Sequence, residues 1–150
     1  MSTSLLYHAF GLPTGYGHQR TFFEGGVIRF VVEEKREHLR CSNCNSRDVI
    51  QRGSQLRQFR TLPIGERQVW IQFAVPRLEC KACQCIRQAR VRFADDSKRH
   101  TKRFRKLVLT LSRHMTIKSV ADYLRVGWDL VKTSRRSICT GVTVTPTSAS

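Results

Sequence analysis

The stretch RCSNCNS (residues 40–46), answered downstream by RLECKACQC (residues 77–85), decides how this chain can fold. Cys41 and Cys44 are spaced C-x-x-C, and Cys80, Cys83 and Cys85 gather after a gap of 35 residues. Thiols placed in this way can hold a metal, form a redox pair or make disulfides. A C-x-x-C turn presents two thiolates at the separation a tetrahedral zinc ion needs, with zinc–sulfur distances of about 2.3 Å. Two such turns bracketing a β-hairpin make a zinc ribbon. A redox pair would instead want C-x-x-C opening a helix inside a βαβ pattern, which the sequence lacks. The expected ligands of Zn2+ are therefore Cys41, Cys44, Cys80 and Cys83. Cys80 and Cys85 also form a permitted knuckle spacing, and the two-residue loop shared with the first knuckle favours Cys83. Cys139 reads as a bystander in the tail.

Between the knuckles, QLRQFRTLPIGERQVWIQFAVPRLEC (residues 55–80) carries a period-2 pattern. Val69, Ile71, Phe73 and Val75 alternate with Gln68, Trp70, Gln72 and Ala74, as in a strand with one apolar face. Pro63 and Gly65 suit the second and fourth places of a type I turn beginning at Leu62, so a β-hairpin is expected. Pro76 is expected to end its second strand or place it at an edge. Upstream, VIRFVVEE (residues 27–34) reads as a further strand, and residues 1–26 read as an irregular arm rich in glycine and aromatics.

The period changes near Thr101. Phe104, Leu107, Val108 and Leu111 fall on one helical face, with Lys102, Arg103, Arg105 and Lys106 around the others. Thr116 suits the N-cap of a second helix carrying Val120, Ala121 and Leu124, and a third is expected from Trp128 to Ile138. The last two have helix-turn-helix spacing. Trp128, Val131, Ser134 and Ile138 would face the core, leaving Asp129, Lys132, Thr133 and Arg136 outward. The predicted class is α+β: a small β-rich zinc-ribbon-like domain (residues 27–94), then a three-helix helix-turn-helix bundle (95–138) and a disordered tail (139–150).

Twenty-seven Lys and Arg oppose 11 Asp and Glu, a formal charge of +16. Such an excess repels itself in the compact state and is suited to a polyanion, nucleic acid first. Residues 77–118 alone carry thirteen Lys or Arg against three Asp or Glu. No apolar run approaches the roughly 20 residues a membrane span needs. The opening MSTSLLYHAF lacks a secretory pattern, which places the thiols in a reducing cytoplasm where disulfide frameworks are rare.

Taken together, CSNCNSRDVIQRGS, RQFRTLPIGERQVWIQFAVPRLECKAC, RFADD and LSRHMTIKSVADYLRVGWDLVK resemble the N-terminal region of insertion-sequence transposases of the ISL3 family, and the arm YHAFGLPTGY fits the type. The resemblance implies a zinc finger and a helix-turn-helix ahead of a DDE catalytic domain, and recognition of the element's terminal inverted repeats. Arg125 stands where the family's inter-helix turn usually has glycine, and Gly127 where it has serine. After Arg136 the family would continue into its catalytic domain. The expectation is a truncated transposase, not an enzyme, that binds double-stranded DNA in the cytoplasm or nucleoid through Asp129, Lys132, Thr133, Arg136, Lys102, Arg103 and Lys106. Its protein partners would be an intact transposase or a second copy of itself, with no membrane and no small-molecule substrate. The alternative is a zinc-ribbon RNA-binding or ribosome-associated protein stacking unpaired bases on Trp70 or Phe59. A thiol redox enzyme is a third reading and would need a reactive, low-pKa cysteine.

Overall fold

The computed structural model describes residues 3–95 and 97–139 and forms two compact units, dividing between Arg103 and Phe104. It is a mixed α+β chain with one sheet and, among the described residues, four α-helices.

The first unit opens with helix α1 (Thr3–Phe10) and strands β1 (Tyr16–Glu24) and β2 (Val27–Glu34). A short 3-10 turn (Arg36–His38) leads to the first knuckle, followed by β3 (Val49–Ile64), β4 (Arg67–Cys80) and β5 (Ile86–Gln88). The sheet runs β1-β2-β4-β3, with β5 also paired to β4. β3 and β4 form the expected antiparallel hairpin, whereas β2 joins β4 in parallel, Val27 opposite Gln68 through Val32 opposite Phe73.

Alternation along β4 builds the core: Val69, Ile71, Phe73 and Val75 are buried while Gln68, Trp70 and Gln72 are partly exposed. The buried face meets Phe30, Val32, Phe59 and Phe93, together with Leu6 and Phe10 of α1. Tyr16, Phe59 and Phe73 each meet Phe93 or one another edge-on, with centroids 5.1–5.9 Å apart, the geometry that aromatic quadrupoles favour.

Three local expectations are corrected. Residues 1–26 are not irregular, because α1 and β1 occupy most of them. The signal was the pair Gly25–Gly26, both at positive φ (55° and 77°), which suits a type I′ hairpin turn. β1 lacks apolar alternation because most of its residues stay exposed. The β3–β4 turn lies later than expected: Ile64 pairs with Arg67, leaving Gly65–Glu66 as a two-residue loop. Gly65 at φ 60°, with no positive φ at Glu66, is the type II′ combination. Pro63 sits inside β3 at a register shift between Thr61 and Ile64, where a ladder donor is dispensable. Nor does Pro76 end β4. Its carbonyl accepts from the Ala89 amide, so its missing N–H faces the gap between the last β2 partner and the first β5 partner.

The segment before α2 is tied to this unit. Arg60 donates to the Arg99 carbonyl at 2.8 Å, Thr101 to Arg60 at 2.8 Å, and Lys102 to Phe93 at 2.9 Å. These bonds explain why the division falls after Arg103 and not at the expected 94/95 break.

The second unit contains the body of α2 (Lys102–Leu111), α3 (Ile117–Leu124) and α4 (Trp128–Cys139). Phe104, Val108, Val120, Leu124 and Val131 are buried together, with Leu107, Leu111 and Val126 packed against them. The Thr116 side chain accepts from the Ser119 amide at 3.1 Å, capping α3 as expected. At the other end, Val126 donates to the Ala121 carbonyl at 3.0 Å and Arg125 to Asp122 at 3.3 Å. This is a Schellman closure with Arg125 in the left-handed position (φ 54°, ψ 48°). Residues 140–150 lie outside the described residues, and Cys139 belongs to the last turn of α4 rather than to a tail.

Candidate metal centre and nucleic-acid interface

β3 begins at Val49, directly opposite Cys80 of β4, so the hairpin returns the second knuckle to the base of the first. The two knuckles are built alike. Cys41 donates its amide to the Ser46 carbonyl at 3.0 Å, and Cys80 donates to the Cys85 carbonyl at 2.9 Å, the same five-residue span. The residue after the second cysteine of each, Asn45 and Gln84, is left-handed at φ 61° and 57°. A further bond, Lys81 amide to Asp48 carbonyl at 3.0 Å, ties the knuckles together.

The Sγ atoms of Cys41, Cys44, Cys80 and Cys83 lie within 4.8 Å of one another. Cys41 and Cys83 approach to 3.6 Å, and Cys44 and Cys80 to 3.5 Å. Tetrahedral coordination at about 2.3 Å requires sulfurs about 3.8 Å apart, whereas a disulfide needs about 2.05 Å. The quartet fits a metal ion of zinc's size, and its closest sulfur pairs lie well beyond disulfide length. Cys85 stays outside it, its sulfur accepting from the Asn43 side-chain Nδ2 at 3.9 Å.

The thiols also compete for charge. The Asn43 side chain and the Cys85 amide lower Cys83 to about 6, and the Cys44 and Asn43 amides lower Cys41. The Ser46 amide favours a Cys44 thiolate, but its bond with Cys80, burial and the neighbouring sulfurs outweigh this and push Cys44 up to about 12. The bond with Cys83 and the charge there raise Cys85. Among the described residues, the apolar cluster that flanks the knuckles in sequence is small: Leu39, Leu78 and Ala89 with Val49 alongside. A bound metal can therefore supply much of the local cohesion, since structural zinc contributes about 10–16 kcal/mol of apparent folding free energy.

On α4, Val131 and Ser134 are buried, while Asp129, Lys132, Thr133 and Arg136 are exposed as expected. Trp128 departs from its expected core position. It is 54% exposed, with the Lys132 ammonium 5.0 Å above its ring. The helix phase explains this, because the apolar stripe passes through Leu130 and Val131 and leaves the first residue of the turn outside. The Ile138 side chain lies outside what is described. Lys102, Arg103 and Lys106 are exposed; the first two belong to the first unit, and Lys106 to the second. Phe59 is fully buried, so it offers no stacking platform for unpaired bases.

Sequence reasoning missed a basic cleft beside the first knuckle, where Arg92 pairs with Glu34 at 3.0 Å and lies over the Tyr16 ring. Burial raises the Glu34 pKa, against the pull of Arg92. No spacing rule links residues so distant in the chain.

Comparison with known proteins gives three matches. Residues 38–83 match the zinc-finger of the transposases of IS204, IS1001, IS1096 and IS1165, a span that includes the four clustered cysteines and stops before Cys85. Residues 89–133 match the helix-turn-helix domain of transposase family ISL3. The transposase for insertion sequence element IS1001 of Bordetella parapertussis is 26% identical over 131 residues, covering 85% of this chain and 32% of that protein. The chain thus spans about a third of the length of this curated relative. No solved structure matches.

Proposed function

The chain carries the zinc-finger and helix-turn-helix domains of ISL3-family transposases, and from that premise we propose that it binds the terminal inverted repeats of a mobile element as duplex DNA. Cys41, Cys44, Cys80 and Cys83 hold one Zn2+ in a structural role. Four thiolates leave no open coordination position for chemistry. In the second unit, α2–α4 act as a three-helix helix-turn-helix bundle with α4 as the helix that enters the major groove. Lys132 and Arg136 suit guanine edges or phosphates, Thr133 a neighbouring phosphate or base, and Asp129 the positive end of the helix dipole.

The observation that carries this reading is the orientation of α4. Burial of Val131 and Ser134 turns Asp129, Lys132, Thr133 and Arg136 to the solvent side together. The cation–π contact with Trp128 holds Lys132 along the helix rather than leaving it free. These 150 residues act by binding, the role that their zinc-finger and helix-turn-helix spans support. An intact transposase or a second copy of this chain would share the DNA end, in the cytoplasm at the nucleoid.

Mobility shift with the terminal repeat and a random duplex, at several salt concentrations, tests the proposal. The repeat should bind more tightly, and Lys132→Ala should reduce that preference more than it reduces binding to random duplex. Equal affinity for both duplexes would refute specific recognition. A preference for single-stranded RNA over either duplex would return the reading to an RNA-binding protein.

A further inference from the structure

The first unit holds a cleft of about 490 Å³ between the first knuckle and the segment after β5, walled by Arg40, Asn43, Arg90 and Arg92 with Glu34 and His38. Its charges are unequal in availability. Glu34, with its side chain only 4% exposed, is taken up by Arg92 at 3.0 Å, and Arg92 also donates to the Thr14 carbonyl at 2.9 Å. That pair is internally neutral and serves to position the wall. Gly15 makes the closeness possible: at φ 104°, a Cβ there would meet the His38 ring at 2.7 Å and the Arg92 guanidinium at 2.9 Å. Among the described residues, Arg40 and Arg90 are the cleft's uncompensated cations. Arg40 is half-buried and Arg90 exposed; Arg40 Nη1 is shut off from solvent, so a ligand in the cleft meets Arg40 through the rest of its side chain.

A second cleft of about 480 Å³ adjoins the first and shares Arg90 and Arg92; Lys102 also lines it, with Asp95 as its one acidic residue. The two form a basic track along one unit rather than a closed cage for one small anion. Neither is lined by Phe, Tyr or Trp, which stacking of unpaired bases would require.

We infer that this track is a second nucleic-acid contact, in which Arg40 and Arg90 take phosphodiester oxygens of the duplex backbone beside the zinc knuckle. The inference rests on the DNA-binding reading and adds a sequence-independent clamp in the metal unit to the reading helix of the other. Arginine suits the task, because its planar fork donates two bonds to a phosphate.

The test compares the zinc-loaded 150-residue chain with Arg40→Gln/Arg90→Gln and with Lys132→Ala in salt titrations of duplex binding. Arg92 is left intact so that Glu34 keeps its partner. The double variant should lose about tenfold or more in affinity for terminal repeat and random duplex alike. Its log–log salt slope should flatten by about 1 for each phosphate no longer held, with the zinc-to-chain ratio unchanged. In the wild-type chain, bound duplex should protect Arg90 from phenylglyoxal, a readout that needs no variant to fold. An unchanged slope together with unprotected Arg90 would overturn the inference. So would a variant that keeps duplex affinity but yields its zinc more readily to a chelator, which would make Arg40 a counter-charge for the thiolates. If Lys132→Ala weakens repeat binding while the double variant does not, this inference fails and the DNA-binding reading stands. A wild-type chain with no affinity for duplex would remove both.

Discussion

Replacing Arg125 by glycine should make the helical unit more stable, although it deletes a whole side chain. Arg125 sits at φ 54°, ψ 48°, where the Cβ of an L-residue crowds its own carbonyl, at about 1–2 kcal/mol. Both closing bonds of the motif, Val126 to Ala121 and Arg125 to Asp122, are made by backbone groups and survive the change. The side chain is exposed and makes no burial contribution to lose. Against the relief stands the greater freedom of glycine in the unfolded chain, about 0.5–1 kcal/mol. The net gain should be about 0.5–1 kcal/mol, a two- to fivefold shift in the unfolding equilibrium. Urea denaturation followed by helical circular dichroism measures it, with Arg125→Ala as control. Alanine keeps the Cβ and removes only the charge, so it should leave the midpoint near the wild type. A glycine variant no more stable than the alanine variant would refute the argument that strain at this turn is stored in the Cβ.

The metal site makes a sharper distinction. Cys83→Ser should cost the chain its zinc, whereas Cys85→Ser should keep about one zinc per chain, because only Cys83 has its sulfur in the quartet; elemental analysis of the purified variants decides it. Glu34 should take up its proton above the usual carboxylate range, since burial outweighs the pull of Arg92. The native chain then binds that proton more tightly than the unfolded one, so the group's contribution to stability is largest below the ordinary carboxylate pKa and falls as pH rises through the raised value. Titration of the Glu34 side-chain carbon by NMR checks the direction. At the start of α4, Gly127→Ser should add a few tenths of a kcal/mol through an N-cap bond, because the added side chain meets nothing within 4 Å; the same urea series would show no gain if no cap forms.

The candidate metal site was legible because it depends on short spacings. Each knuckle closes over two residues between its cysteines, and the intervening hairpin announced itself through the alternation of Val69, Ile71, Phe73 and Val75. The outward set on α4 was legible for a similar reason, as helical periodicity separates Val131 and Ser134 from Lys132 and Thr133. Trp128 escaped this reasoning because a residue in the first helical turn can be apolar without lying on the packed stripe. The Arg40–Arg90 cleft was invisible because its residues come from separate segments with no shared period.

By itself the sequence determined what local geometry controls: the thiol pairs, the strand alternation of β4, the amphipathic faces of α2 and α4, and the cap at Thr116. These follow from bonds and periodicities that span a few residues. Only the tertiary structure decided that β2 lies parallel to β4, that Cys83 and not Cys85 meets the other three sulfurs, that Arg92 is committed to Glu34, and that Arg40 and Arg90 share a wall. Those outcomes depend on which distant surfaces bury each other, and a chain's local preferences contain no record of that choice until the core closes.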